Sequence, residues 1–136
     1  MADDPHIDLL SNYARSLGIE VSGFEDGVPV LCVSGVDAIE GRPGHFHGGA
    51  TSGLMETAGY AALRVALNES GEDAQLKPIN ITVQFLAAAR KAPLFAKARI
   101  TKLGRRSANV TVEAWQEERD RPRASAVMNV MIQRTA

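Results

Sequence analysis

An antiparallel α+β architecture follows from three features of this 136-residue chain. Residues 50–67 hold no proline and are rich in alanine and leucine, so they read as one long helix. From residue 79 onward the apolar period changes from helical to two. Turn residues then divide that region into consecutive strands. A long helix packed on one face of an antiparallel sheet is the economical way to bury both.

From the N-terminus, Asp3 or Asp4 is placed to cap a first helix and Pro5 suits its first turn. Ile7, Leu10, Ala14 and Leu17 recur at helical spacing, and Gly18 is a natural stop. Residues 19–24 and 28–36 read as strands joined by the turn Glu25-Asp26-Gly27. Residues 37–49 are irregular and glycine-rich, and residues 68–78 form a loop after the long helix. Ile79, Ile81, Val83 and Phe85 alternate with polar neighbours, as do Ala96, Ala98 and Ile100. Gly104-Arg105-Arg106 marks a hairpin, Ala108 to Ala114 alternate again, and charged residues 117–123 make a further turn. Ala124, Ala126, Met128, Val130 and Ile132 complete the last strand. Short connections predict that these four strands form a meander.

Composition narrows the function classes. Apolar residues are 45% and charged residues 23%, which excludes a disordered tail or coiled coil and suits one domain spanning residues 1–136. The net charge of −1 gives bulk nucleic-acid binding no electrostatic support, so no nucleic-acid partner is expected. One cysteine, Cys32, excludes an intrachain disulfide and a cysteine-based zinc site, and in its apolar strand it reads as a small core residue. No set of His, Asp and Glu has metal-ligand spacing, so no metal is expected. No apolar run reaches membrane-spanning length, and acids stand where a secretory signal carries bases; a cytoplasmic protein with no membrane partner is expected.

At 100° per residue, Leu54, Ala58, Ala61 and Val65 form the stripe that faces the sheet. The far face carries Glu56 among Tyr60, Leu63 and Leu67 instead of the usual charges. A helix apolar nearly all round needs a second cover, and another copy of the chain is the simplest one. Burial on that face disfavours ionised carboxylate and suits Glu56 to general-base work; its alternative role is a hydrogen bond to Tyr60 or a place at a wet rim. Directly upstream, His45-Phe46-His47-Gly48-Gly49 leads into the helix start, where exposed N–H groups can polarise a carbonyl. Glu56, two turns further in, is positioned to deliver water to it.

These residues resemble the hotdog-fold acyl-CoA thioesterases of the phenylacetate-pathway (PaaI-like) type. The motif is His47-Gly48-Gly49 at the helix start followed by the carboxylate Glu56. Gly41-Arg42-Pro43-Gly44 resembles the family's approach loop, residues 79–90 its next strand, and Leu103-Gly104-Arg105-Arg106 its hairpin. The likeness spans roughly residues 28–134. It implies a hotdog fold, an antiparallel sheet wrapped around a long central helix, to which the residues themselves add a short N-terminal helix. It also implies a homodimer, often doubled to a homotetramer, with active sites at the subunit interface. The implied reaction is hydrolysis of an acyl or aryl-acyl thioester, with coenzyme A as part of the substrate and no cofactor.

Carried over residue by residue, Glu56 is the base or nucleophile and the Gly48 N–H is the oxyanion donor. His47 supports the loop or contacts the thioester. Gly49, Phe46, Tyr60 and Thr82 are candidate substrate contacts, and Arg90, Arg105 and Arg106 are candidates for the coenzyme A phosphates. Two positions depart from the pattern. Gly41 stands where many relatives have Asn, and Lys77-Pro78 stands where many have Ser or Thr; Thr82 or Asn80 is the nearest replacement. Gly44-His45-Phe46 also resembles the motif of acyl-carrier dehydratases, though at a shorter His-to-acid spacing, so a hotdog hydratase or dehydratase is an alternative. A non-catalytic acyl-CoA-binding protein is another. His6 and His45 read as surface or loop residues, Lys91 and Lys102 as solvated charges, and Trp115 as half exposed or covering an interface.

Overall fold

The computed structural model describes residues 8–134. The first helix, α1 (Asn12–Ser16), is shorter than expected and starts later. Its cap is Ser11, whose Oγ accepts from the Ala14 N–H at 3.1 Å; Asp3, Asp4, Pro5, His6 and Ile7 lie outside the described residues. Gly18, at φ +77°, ends it as expected.

Strands β1 (Ile19–Glu25) and β2 (Val28–Val33) form a hairpin. Asp26 and Gly27 both adopt positive φ, 51° and 77°, the geometry that matches the twist of a two-residue hairpin turn. β2 stops before Val36. Gly35 sits at φ +81° with the Ala92 backbone where a Cβ would be, so the chain leaves the sheet there. A 3-10 turn (Asp37–Ile39) opens the irregular segment. The central helix α2 (Gly48–Glu69) then runs 22 residues, about 33 Å.

β3 (Ala74–Phe85) begins five residues before its expected start. It absorbs Pro78 because β3 is an edge strand and the register shifts between Pro78 and Asn80, so no ladder N–H is missed there. β4 (Leu94–Leu103), β5 (Ser107–Trp115) and β6 (Ala124–Arg134) follow.

The strand order is β1-β2-β4-β5-β6-β3, antiparallel throughout. The expected four-strand meander is therefore wrong at one join. β4, β5 and β6 form a meander, but β3 pairs with β6, and β4 pairs with β2 at the other side. The segment after Phe85 crosses the end of the sheet near the start of α2, which is how the chain wraps its helix.

Leu54, Ala58, Ala61 and Val65 are buried, as the helical period requires. Leu63 and Leu67 are buried within this same chain, not left for a partner. The curved sheet reaches further round than one flat face would, and α1 covers part of the remaining side. Gly53 permits that cover: a Cβ there would lie 2.9 Å from Leu17 Cδ1. A half-buried stripe of Ser52, Glu56, Tyr60 and Arg64, spaced four apart, stays along α2.

Candidate active site at the start of the central helix

The glycine-rich segment before α2 is tied down by backbone hydrogen bonds. The His47 N–H donates to the Ile39 carbonyl at 2.7 Å, and the Phe46 N–H to Ala89 at 2.9 Å. The Gly44 N–H donates to Glu40 Oε2 at 2.6 Å, and Lys91 pairs with Asp37. That cation holds the Asp37 carboxyl below the usual carboxylate range. The opposing loop is held by Gln116, which is buried. Its Oε1 accepts from the Arg90 N–H at 3.0 Å, and its Nε2 donates to the carbonyls of Arg90 and Ala92.

His47 caps the helix. Its Nδ1 accepts from the Gly49 N–H at 2.8 Å, so the ring proton sits on Nε2. A Cβ on Gly49 would lie 2.9 Å from that Nδ1, so glycine is what lets the ring come so close. The Gly49 N–H is thereby consumed and is not free for substrate. The Gly48 N–H is the contrary case. It has no acceptor among the described residues. It opens into a cavity of about 530 Å³ beside His47, Thr51, Phe85, Arg42 and Arg123. Phe46 lines the same cavity, as does His45, whose Nδ1 lies 3.0 Å from the Pro43 carbonyl.

Glu56 does not open into this cavity. It lines a second one, of about 340 Å³, with Tyr60, Arg64, Tyr13 and Asp8. Eight residues of α2 separate Glu56 from Gly48, about 12 Å along the axis. Within one chain, then, the carboxylate and the free N–H cannot grip one carbonyl group, contrary to the expected delivery of water two turns along a single helix. Glu56 makes no hydrogen bond to Tyr60 or to any other described residue. Tyr60 is held protonated above its ordinary range by burial and, secondarily, by the negative charge of Glu56.

The other expected contacts divide. Thr82 is exposed on edge strand β3 and lines neither cavity, and Asn80 is engaged on the sheet with Asn129 Nδ2 at 2.8 Å. The Arg90 side chain is exposed beside the loop and lines neither cavity. Arg105 and Arg106 sit at the β4–β5 hairpin, which Arg134 and Glu72 tie to the C-terminal end of α2, the wrong end for Gly48 in the same chain. The arginines at the Gly48 cavity are instead Arg42 and Arg123. Arg42 makes no ion pair among the described residues, while Arg123 is braced by the Ala88 carbonyl and Glu117. Thr51 was legible from helical spacing, one turn after His47. Arg123 was not, because only β6 and the crossing loop bring it there.

Cys32 is half-buried, with its thiol pushed up by burial and by nearby Glu20. Trp115 is buried, not half exposed: it stacks on Phe95 at 6.0 Å and lies under the Arg119 guanidinium at 4.0 Å. Among the described residues no group of His, Cys, Asp and Glu side chains could hold a metal ion. No helix among them is long and apolar enough to cross a membrane.

Comparison with solved structures finds the same fold repeatedly. A thioesterase of Haemophilus influenzae is 23% identical, with a TM-score of 0.80 over 91% of this chain and 85% of that one. A phenylacetic acid degradation-related protein of Ralstonia eutropha is 21% identical, with a TM-score of 0.73 over 90% of each chain. A protein of Chromobacterium violaceum is 30% identical, with a TM-score of 0.70 over 89% of this chain and 82% of that one. No curated protein sequence matches. The six-stranded antiparallel sheet around a long helix is the hotdog fold. The sequence matches the thioesterase superfamily over residues 43–122, more than half its length, and the chain is therefore a thioester hydrolase belonging to that superfamily.

Proposed function

We propose that the chain hydrolyses acyl-coenzyme A thioesters at a site completed by two copies of itself. The Gly48 N–H of one copy holds the thioester oxygen, and Glu56 of the other activates water. The observation that carries this reading is the split of the motif: an N–H in one cavity and a carboxylate in another, about 12 Å apart along the helix, each without a hydrogen-bond partner among the described residues. The edge of β3 supports a second copy. Among the described residues its outer ladder is unpaired, and it exposes Ile79 and Phe85; such an edge is a template for another strand.

In this scheme the carbonyl oxygen gains negative charge at the Gly48 N–H and the positive end of the α2 dipole. Glu56 takes a proton from water as the hydroxide forms the new C–O bond; in the nucleophilic variant its carboxylate attacks the carbonyl, and water then cleaves the resulting anhydride, which frees the acid, restores Glu56 and supplies the proton. The C–S bond then breaks and the proton passes to the departing thiolate of coenzyme A. Arg42 and Arg123, at the same cavity, suit the phosphates of coenzyme A. His47 positions Gly48 by capping. The scheme needs no cofactor beyond the coenzyme A that the substrate carries.

The test is thiol release across an acyl-coenzyme A panel with two variants. Glu56→Gln should lower kcat by about 10²–10⁴-fold. Gly48→Pro removes the N–H at the first helical position, where proline is tolerated and where His47 already has extended ψ. Mixing the two inactive variants should restore activity, because a mixed dimer holds one intact site. No recovery on mixing folded, exchanging variants would refute the shared site, and full activity of Glu56→Gln would refute the mechanism.

A further inference from the structure

We propose that Arg64 selects acyl groups whose far end carries a carboxylate, so that the preferred substrates are monothioesters of dicarboxylic acids. This rests on the reading of Glu56 given above and names the acyl class for that site. Three arginines among the described residues are half-buried: Arg64, Arg123 and Arg134. Arg123 faces Glu117 at 3.1 Å and Arg134 faces Glu72 at 2.6 Å. Arg64 faces no carboxylate among the described residues. Its Nη1 donates to the Ala74 carbonyl at 2.5 Å, which anchors the guanidinium. Its Nε and Nη2 are unclaimed among the described residues, and that edge is the fork that takes a carboxylate by two parallel hydrogen bonds.

Arg64 lines the same cavity as Glu56, two turns further along α2, about 12 Å. Asp8 borders the cavity but does not neutralise Arg64. Its carboxylate is held by Arg15 and by the Leu10 N–H. Between Glu56 and Arg64 lies Tyr60, whose phenol stays protonated and so adds no second negative charge beside the acyl chain. An acyl group with its carbonyl beside Glu56 therefore points its far end at an anchored cation that has no counter-ion among the described residues. A wholly apolar tail would cover the half-buried guanidinium and leave its Nε and Nη2 without an acceptor, which disfavours it. A tail carboxylate supplies the missing counter-ion.

The test compares adipyl-coenzyme A with hexanoyl-coenzyme A, which differ in the tail end. Calorimetric binding is measured on the full chain carrying Glu56→Gln, so that no turnover is needed, and thiol release is measured on the chain with Glu56 intact. Adipyl-coenzyme A should bind at least about tenfold more tightly, as expected for one charge-assisted contact. Adding Arg64→Met should bring the ratio close to one. Arg64→Lys, which keeps the charge without the fork, should retain part of it and guards against a folding defect in the Met variant. Equal binding of the two thioesters, or a preference that survives Arg64→Met, overturns the inference. Tight, Arg64-dependent binding of adipyl-coenzyme A without thiol release from any thioester would leave this inference standing and overturn the hydrolytic reading instead.

Discussion

Replacing His47 separates a capping role from a chemical one. The imidazole accepts from the Gly49 N–H and lies beside the cavity that holds the free Gly48 N–H. If capping is its whole task, His47→Ala removes one side-chain acceptor at an exposed helix start, and water can satisfy the orphaned Gly49 N–H. The cost is then about 1 kcal/mol, or a fall in Tm of about 3–5 °C for a chain of this size. A helix start weakened by about 1 kcal/mol is ordered about fivefold less often relative to the frayed state, so kcat/KM falls by no more than about fivefold. His47→Asn keeps a capping acceptor and should recover both quantities. A direct hydrogen bond from Nε2 to the reacting oxygen would behave differently: its loss costs about 10²–10³ in kcat, and Asn would not restore it. Thermal melts and thiol-release kinetics on both variants decide the matter. A loss of about 100-fold or more in both variants, with the Tm recovered by Asn, would refute the capping assignment.

Gly53→Leu should push α1 off the long helix, because even a Cβ there meets Leu17 Cδ1 at 2.9 Å and Tyr13 Cε2 at 3.4 Å; limited proteolysis within residues 8–18 should increase at a cost of about 1–3 kcal/mol, and unchanged protection would count against the contact. Gln116→Leu leaves the Arg90 N–H and two carbonyls without their partner, so denaturant unfolding should show a loss of about 2 kcal/mol or more; equal stability would show the loop is held by other means. Cys32 should react slowly with iodoacetamide at about pH 8, since burial and Glu20 both oppose its thiolate. Cys32→Ala should keep thiol-release activity, and fast labelling coupled to inactivation would place this thiol in the chemistry.

Local signals were legible where the chain's own period carries them. The central helix, its sheet-facing stripe of Leu54, Ala58, Ala61 and Val65, the Gly18 stop and the Asp26-Gly27 turn all depend on neighbours within a few residues. The parity of β3 was harder. Its register shift between Pro78 and Asn80 turns Ile79 outward, although simple alternation puts it with Ile81 and Val83. A bulge changes which face a side chain takes without changing the residue pattern that announces it.

By itself, the sequence determined the α+β class, the long helix, and the order His47-Gly48-Gly49 with Glu56 two turns on, because spacing along one helix is a local quantity. Only the tertiary structure decided that β3 crosses to pair with β6, that α1 covers Gly53, and that Leu63 and Leu67 need no partner chain. It also decided that Gly48 and Glu56 open into different cavities, that Arg123 joins the first, and that Arg64, in the second, has no counter-ion among the described residues. Such outcomes depend on which distant segments meet once the sheet has curved around the helix. No period in the chain records that meeting, because pairing energy and curvature belong to the whole sheet and not to any one strand.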